Sequence, residues 1–499
     1  MDVNPEVCYR AVQARDARYD GRFFTCVITT GIYCRPICPA RPPQLKNCTF
    51  VPTAAAAQSA GYRPCLRCRP ESSPELDAWR GTEATVSRAL KLIETGALDD
   101  ADITSLADRL GIGERQLRRL FSRHIGAAPI TVAQTRRVLL AKQLIHQTDL
   151  SMIEIALASG FGSVRRFNET FQRMYNRPPS ELRRRKTAGS PAPEITILLP
   201  YRPPYDWATM INFLKTRAIT GLEVVTDESY IRAIEFDDIV GSIQVAHVPE
   251  HASLRVTVRI PRLNVLPTII ARIRRQFDLG AEPAAIASVL SADPVLAPLV
   301  AARPGLRVPG GWDGFEVAVR AVLGQQITVV GATKLATRIV SRLGTPIAEQ
   351  TGQPGLTHVF PRPEQFSEQS LAGIGMPTAR VNCLIALAEA ARSEPRFFDP
   401  RSDLAETITH LRMVPGIGEW TAQYIAMRAI GESDAFLAGD VGLQSKFILH
   451  GRRPTADQLL ARAESWRPWR AYATLHLWMS EAPSPHALLN KENRHALTA

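Results

Sequence analysis

Cysteine is scarce through most of this 499-residue chain. Seven of its eight cysteines lie within the first 70 residues, and Cys383 is the only one after them. The sequence also lacks an apolar run near the ~20 residues that a membrane-spanning helix needs, and its polar N-terminus does not resemble a signal peptide. These absences argue against a disulfide-rich secreted protein and an integral membrane protein. We therefore expect a cytoplasmic protein of several domains without a membrane partner.

Positive charge is concentrated at the front of the chain. The net charge is +12, and residues 1–190 contribute +11 of it, from 29 Lys and Arg against 18 Asp and Glu. The remainder is nearly neutral, with 31 basic and 30 acidic side chains. Such an excess is typical of nucleic-acid binding, which predicts that the front of the chain binds double-stranded DNA.

Four of the early cysteines form two closely spaced pairs. Three residues separate Cys34 from Cys38, and two separate Cys65 from Cys68. Each pair can present two thiolates to one tetrahedral ion, and four sulfur ligands favour zinc in a reducing compartment. We therefore expect one Zn²⁺, and a purely structural zinc site remains an alternative.

The stretches TTGIYCRPICPAR (29–41) and GYRPCLRC (61–68) surround these cysteines and resemble the N-terminal domain of the Ada family of adaptive-response regulators. The resemblance implies that Cys34 irreversibly accepts a methyl group from a DNA phosphotriester. Four arginines close to the ligands in sequence are expected to contact phosphates, with a solvated surface charge as the alternative for each: Arg35, Arg41, Arg63 and Arg67. Zinc would hold Cys34 as the nucleophilic thiolate, and methylation would change the net charge of the four-thiolate site from −2 to −1. Weaker repulsion predicts tighter DNA binding by the methylated protein.

Residues 82–186 contain one pattern twice. An apolar-periodic helix, a Gly turn and an Arg-rich helix occur at 103–123 and again at 155–175. The repeat favours two helix-turn-helix units whose second helices enter the major groove, and it resembles the AraC/XylS family of DNA-binding domains. The residues expected to contact DNA from these helices are Arg115, Arg118, Arg119, Arg165 and Arg166.

The next segments carry no catalytic pattern. Residues 187–194 are small and Pro-rich after a run of basic residues, which is typical of a linker. Residues 195–308 contain five short β-branched runs, at 195–199, 222–225, 230–236, 241–245 and 254–258. Two predicted helices, at 207–217 and 263–277, interrupt them, so we expect a supporting α+β domain.

The stretch LRMVPGIGEWTAQYIAMRAIGESDAFLAGD, residues 411–440, carries the strongest functional pattern. Pro415 ends one helix, and Gly416 and Gly418 permit a tight turn before a second helix starts at Glu419. Free backbone N–H groups at such a helix start suit a phosphate, and an isolated acid, Asp440, follows. The turn alone leaves an ordinary helical hairpin with a surface aspartate as an alternative.

This hairpin, with PPYDW (203–207), ARPGL (302–306) and WRPWR (466–470), resembles the AlkA family of helix-hairpin-helix 3-methyladenine DNA glycosylases over roughly the last 300 residues. The resemblance implies that Asp440 is the catalytic carboxylate. It implies that Gln326 lies where a side chain fills the gap left by a flipped base. Aromatic base-pocket positions of the family fall on Trp420, Tyr424 and Trp478. Gln326 replaces an apolar residue and Met479 an aromatic one, which puts the substrate breadth in question.

The chemistry fits these residues. A base within a duplex must be flipped into a pocket before it is excised. An alkylated purine is cationic and leaves readily, so one anion beside the developing oxocarbenium sugar suffices, and aromatic walls attract the cation. Trp420 stands where relatives that also cut the backbone have a Lys, which predicts a monofunctional enzyme. No Pro-Cys-His-Arg motif occurs, so repair of O6-methylguanine is not expected.

The sequence therefore predicts a multidomain, mostly α fold with α+β parts. Its predicted units are a zinc module (1–77), a double helix-turn-helix domain (82–186), a linker (187–194), an α+β domain (195–308) and an all-α glycosylase domain (309–494). We expect a monomer that excises alkylated bases, scavenges phosphotriester methyl groups and activates transcription through the transcription machinery. The alternative is a zinc-stabilised transcription factor whose glycosylase-like half only binds DNA.

Overall fold

The computed structural model describes residues 4–73, 84–94, 96–99, 101–183, 194–347, 353–401, 403–448 and 452–480. Nearly all of the predicted linker, 187–193, lies outside these residues, as do the predicted boundaries at 77, 82, 186 and 494. Within the described part of the chain, no helix is long and apolar enough to cross a bilayer. The fold is multidomain and largely helical, with two separate sheets.

The front module is built on a small four-stranded sheet. Its helices are Pro5–Ala14 and Ala54–Ser59, and its strands in spatial order are Cys48–Val51, Phe24–Val27, Ile32–Cys34 and Arg63–Pro64. The last two strands are parallel, and Tyr33 pairs with Pro64. The residues that follow this pair, Cys34 and Cys65, therefore lie side by side. This arrangement brings together two cysteine pairs that are distant in sequence.

Both predicted helix-turn-helix units are present. Their helices are Ala84–Glu94, Ile103–Arg109, Glu114–Ile125, Pro129–Gln147, Met152–Ala158 and Val164–Tyr175. Gly111 and Gly160 make the two turns at φ +67° and +82°, a region that favours glycine. The second unit begins three residues before the predicted helix because Ser151 and Glu154 form a capping box there.

The next domain contains the five predicted strands in one antiparallel sheet. Their spatial order is Glu194–Pro200, Ser253–Arg259, Ile239–Val248, Ser229–Phe236 and Glu223–Val225. The helices Trp207–Lys215 and Leu266–Gln276 match the prediction. Two further helices, Pro283–Leu290 and Leu296–Ala302, were not predicted, because short Ala-rich runs have little amphipathic pattern.

The last domain is all-α in its described residues. Its helices are Gly314–Leu323, Val329–Leu343, Glu368–Leu371, Thr378–Ser393, Leu404–Leu411, Glu419–Ile425, Val441–Ser445, Ala456–Ala463 and Arg470–Met479. A π-helical turn, Ala426–Ile430, extends the helix Glu419–Ile425. We call this continuous element, 419–430, the pocket helix.

Hydrophobic cores cross two of the predicted boundaries. One core joins Phe213 and Leu222 of the α+β domain to the all-α helices, and another joins Phe171 of the second helix-turn-helix unit to the five-stranded sheet. The front half also contacts the pocket helix, since Lys91 Nζ donates to the carbonyls of Ile430 at 3.1 Å and Gly431 at 2.9 Å. The front half and the last domain are thus packed against each other.

Candidate metal centre and base pocket

The four paired cysteines converge. The Sγ atoms of Cys34, Cys38, Cys65 and Cys68 all lie within 4.8 Å of one another. Cys34 is partly exposed, whereas the other three are buried. The most exposed of the four cysteines is therefore the one predicted to accept a methyl group.

Backbone donors around these sulfurs fit a thiolate-bound metal. The amide of Arg35 donates to Cys68 Sγ at 3.3 Å, and the amide of Arg67 donates to Cys65 Sγ at 3.4 Å. Amide donors stabilise negative charge on sulfur. Four clustered sulfurs with no oxygen ligand, supported by such donors, fit zinc in its usual tetrahedral form.

The structure corrects the prediction for Arg35. Its side chain is buried, and its guanidinium pairs with Asp20 and donates to the carbonyl of Cys68 at 3.1 Å. This arginine therefore braces the metal site from inside and is not available to a phosphate. Arg41 and Arg67 are exposed near the cluster, and their contact with DNA remains a prediction.

The second helix of each helix-turn-helix unit presents its arginines to solvent, and we call these two helices the recognition helices. Leu117 and Phe121 of the first helix, and Phe167 and Phe171 of the second, are fully buried and hold each helix against its unit. The opposite face carries the predicted contact residues, all exposed: Arg115, Arg118, Arg119, Arg165 and Arg166. Two of them form exposed i,i+4 pairs, Arg118 with Glu114 at 2.6 Å and Arg165 with Glu169 at 2.7 Å. Exposed pairs of this kind are weak enough for a phosphate to compete.

The hairpin turn has the expected glycine geometry. Gly416 has a φ of +90°, and a Cβ there would lie 2.8 Å from Cys383 Sγ. Gly418 begins the pocket helix without a side-chain cap, and a Cβ there would meet nothing within 4 Å. The helix start thus lacks a side-chain cap and leaves room beside Gly418, which suits the predicted phosphate contact.

Asp440 and two tryptophans form one hydrogen-bonded cluster. Trp420 Nε1 donates to Asp440 Oδ2 at 2.9 Å, and Trp478 Nε1 donates to Oδ1 at 3.3 Å. Asp440 also caps the helix Val441–Ser445, because Oδ1 accepts the amide hydrogen of Leu443 at 2.9 Å. The carboxylate is thereby fixed between two aromatic side chains drawn from different helices.

The same aromatic residues wall a cavity of about 440 Å³. Trp420 and Tyr424 stack with ring centroids 5.3 Å apart and planes 12° apart, and Trp478 lies 6.5 Å from Tyr424. Met479 also lines the cavity. The three predicted pocket residues thus lie together, next to Asp440.

Gln326 lies on an exposed loop with a φ of +58°. The preceding residue joins this loop to the hairpin, since Gln325 Nε2 donates to the Gly416 carbonyl at 3.0 Å and to Thr421 Oγ1 at 3.1 Å. Gln325 was not among the predicted residues, because a half-buried amide that bridges a loop to the hairpin has no local sequence signal.

The pocket also includes residues that the sequence analysis missed. Phe213 and Arg217 come from the α+β domain, which was expected only to support the fold, and Arg428 comes from the π-helical turn. Arg428 Nη1 donates to Tyr424 Oη at 2.6 Å. Burial alone would raise the pKa of Tyr424, but Arg428 and Arg217 stabilise the phenolate and lower that pKa below its ordinary value. Arg428 follows Tyr424 by four residues, and this helical spacing is the sequence pattern that could have indicated it.

Known proteins are similar to both halves of this chain. Three family models match: the metal binding domain of Ada over residues 7–71, a helix-turn-helix domain over 106–185, and the AlkA N-terminal domain over 196–313. A probable bifunctional transcriptional activator/DNA repair enzyme AlkA of Mycobacterium tuberculosis is 39% identical over 478 residues, which is 95% of this chain and 96% of that protein.

Two Escherichia coli proteins each match one half. DNA-3-methyladenine glycosylase 2 is 34% identical over 290 residues, covering 58% of this chain and 98% of its own length. The bifunctional transcriptional activator/DNA repair enzyme Ada is 33% identical over 153 residues, covering 31% of this chain and 42% of its own length. The two halves of the chain are therefore similar to proteins that are separate in that organism.

Proposed function

The chain belongs to the family of bifunctional transcriptional activators and DNA repair enzymes of the AlkA type, and from this membership we propose that it excises alkylated bases of the 3-methyladenine type and regulates the response to alkylation damage. The observation that carries the enzymatic part is the Asp440 carboxylate held by the indole N–H groups of Trp420 and Trp478. A protein that only bound DNA would not need a carboxylate held by two tryptophans that line an aromatic cavity.

Excision follows from this geometry. The hairpin amides at Gly416 and Gly418 hold a backbone phosphate, and the damaged nucleotide is flipped so that its base enters the cavity. The cationic base stacks on the aromatic wall while Asp440 faces the sugar. As the bond between C1′ and the base nitrogen breaks, its electron pair leaves with the base, and Asp440 stabilises the positive charge that develops on the sugar. Water adds to C1′ and leaves an abasic site.

We assign a single chemical step to this domain. The position two residues after Gly418 is Trp420, whose indole nitrogen is already bonded to Asp440, so no amine lies there to form a Schiff base. The enzyme is accordingly monofunctional and leaves the DNA backbone intact. Methylated duplex DNA incubated with the protein tests this: free 3-methyladenine should appear, and strands should break only after alkali treatment. Failure to release any base would favour the alternative of a silent DNA-binding module.

The front half transfers a methyl group. Zinc bound by the four cysteines would keep their sulfurs as thiolates at neutral pH. Cys34, the partly exposed ligand, attacks the methyl carbon of a DNA methylphosphotriester. A sulfur–carbon bond forms, the carbon–oxygen bond breaks, and its electron pair remains on the phosphate oxygen as a phosphodiester. The product is a stable thioether, so each molecule reacts once.

Methylation then promotes transcription. The site loses one negative charge, so it repels DNA less. The two recognition helices then bind promoter sites. The protein acts as a monomer and engages the transcription machinery. The direct test treats the protein with phosphotriester-containing DNA and locates the added methyl mass by peptide mass spectrometry. Methylation of Cys34 with tighter promoter binding supports this function, whereas an unmodified cluster would make the zinc site purely structural.

A further inference from the structure

A helix of the front half, Ala84–Glu94, reaches the end of the pocket helix. Lys91 Nζ donates to the carbonyl oxygens of Ile430 at 3.1 Å and Gly431 at 2.9 Å. Gly431 has a φ of +75° and ends the pocket helix. The last carbonyls of a helix have no partner within it, and they carry the negative end of its dipole. Lys91 therefore supplies both a donor and a positive charge at this end from another domain.

This contact is shielded from solvent and has an ion pair beside it. Ile430 is buried, and Lys91 is only partly exposed. Arg88, one turn earlier on the same helix, is buried and pairs with Glu432, with 3.3 Å between Nε and Oε1. Exposed ion pairs contribute little, because water competes for both charges, but these two cations are shielded. Together they hold residues 430–432 against the front half.

The segment held in this way follows directly from the π-helical turn of the pocket helix. The Gly431 amide donates to the carbonyl of Ala426, five residues earlier. Such turns are rare and often occur at functional sites. The turn carries Arg428, whose Nε donates to the Pro309 carbonyl at 2.7 Å and whose Nη1 donates to Tyr424 Oη at 2.6 Å. A displaced helix end therefore displaces Arg428, and with it the hydrogen bond to an aromatic wall of the base pocket.

The contacts continue from Arg428 to the carboxylate proposed to act in base excision. Tyr424 stacks on Trp420, with ring centroids 5.3 Å apart and planes 12° apart. Trp420 Nε1 in turn donates to Asp440 Oδ2 at 2.9 Å. Trp420, Tyr424 and Arg428 are spaced by four residues, which places them on one face of the pocket helix. A continuous series of contacts thus joins Lys91 to the carboxylate.

We propose that Lys91 is a positioning residue for base excision, which acts through the pocket helix and touches neither the base nor the sugar. By holding the end of this helix, Lys91 keeps Tyr424 against the base and Asp440 beside the sugar. Small displacements of such groups slow a reaction strongly, because the reacting atoms must lie within a narrow range of distances. Within the proposed base excision, on which this inference depends, the front half completes the excision site as well as regulating transcription.

Lys91→Met removes the ammonium group and keeps an apolar stem of similar length. The rate to measure is single-turnover release of 3-methyladenine from methylated duplex DNA with the protein in saturating excess, because this rate excludes binding and product release. It should fall about tenfold, which is typical of a substitution within a network that couples two sites. The affinity for duplex DNA that contains an abasic site should stay native, since the hairpin proposed to bind the phosphate lies at the other end of the pocket helix.

Two further variants and one control distinguish positioning from a general loss of packing. Lys91→Arg keeps a cation with several donors and should restore most of the rate, whereas Lys91→Gln keeps a donor without the charge and should restore less. Arg109→Met is the matched control. It breaks another contact between the front half and the last domain, because Arg109 Nη2 lies 2.5 Å from Asp399 Oδ2, outside the pocket helix. This control should release the base at the native rate.

The possible results separate the two proposals. A lower rate in Lys91→Met, with native DNA affinity and recovery in Lys91→Arg, supports the positioning role; if Lys91→Met does not fold, Lys91→Gln takes its place. A native rate in Lys91→Met would overturn that role and leave base excision intact. Equal losses in Lys91→Met and Arg109→Met would also overturn it, because docking of the two domains in general would then set the rate. Release of no 3-methyladenine by the unaltered protein would overturn the proposed function and this inference with it.

Discussion

Replacing Trp420 by Phe removes one hydrogen-bond donor from the catalytic carboxylate and keeps an aromatic ring in the pocket wall. Trp420 Nε1 lies 2.9 Å from Asp440 Oδ2, whereas Trp478 Nε1 lies 3.3 Å from Oδ1. A hydrogen bond to a charged acceptor contributes about 1.5–3 kcal/mol. If the bond holds Asp440 where charge develops on the sugar, its loss should reduce kcat/KM roughly 10- to 150-fold. The longer Trp478 bond should matter less, so Trp478→Phe should fall near or below the lower end of that range.

The assay is single-turnover release of 3-methyladenine from methylated duplex DNA by folded variants. Trp207→Phe is a matched control, because its indole donates to the Asp227 carbonyl at 3.1 Å, outside the pocket. This variant should release the base at the native rate. Activity of Trp420→Phe within twofold of native would refute the reasoning. A larger loss in Trp478→Phe than in Trp420→Phe would also refute it.

Three further substitutions test other contacts. Lys142→Met removes the 2.7 Å partner of buried Glu71 and leaves only the Arg69 guanidinium at 3.7 Å, so the cost should stay below the roughly 3–5 kcal/mol of a fully unpaired buried charge. Zinc release should then occur at lower urea concentration, and Lys142→Met/Glu71→Gln should recover most of the loss. Gly416→Ala places a methyl group against Cys383 at φ +90°, so both the melting temperature and base release should fall; a native melting temperature would contradict the turn geometry. Burial lowers the pKa of His476 from 6.5 to about 4, so the unfolded chain binds this proton at higher pH than the folded one. Stability should therefore decline as pH falls from about 6.5 toward 4, by up to about 3 kcal/mol, and His476→Asn should remove that part of the decline in urea titrations.

The features predicted correctly from sequence are those fixed by local spacing. The four-cysteine site could be predicted because the cysteines of each pair, at Cys34 and at Cys65, are close in sequence, and only a sheet is needed to bring the two pairs together. The five strands could be predicted because each is a clear β-branched run. The turn at Gly416 could be predicted because Pro415 and the two glycines have strong backbone preferences. The catalytic role of Asp440 came from the resemblance to the AlkA family and stays a prediction, although the carboxylate does lie beside the predicted pocket residues Trp420 and Trp478. In each case, the residues concerned lie close together in sequence or match a known motif.

The features that sequence could not supply depend on contacts between distant segments. Arg35 looked like a phosphate contact because its partner Asp20 lies 15 residues earlier and no spacing rule links them. Phe213 and Arg217 belong to a domain without a catalytic pattern, and only the shared core places them against Arg428. The contact of Lys91 with the end of the pocket helix crosses about 340 residues. Such pairings appear only when whole domains pack.

The most direct test compares base release by the native protein and by Asp440→Asn. Asparagine keeps the size of the side chain and one acceptor oxygen, so it retains a hydrogen bond from one of the two indoles, but it removes the negative charge. We expect the native protein to release 3-methyladenine from methylated duplex DNA and Asp440→Asn, folded and bound to the same DNA, to release almost none. Equal release by both proteins would contradict the assignment of Asp440, and release by neither would contradict the glycosylase itself.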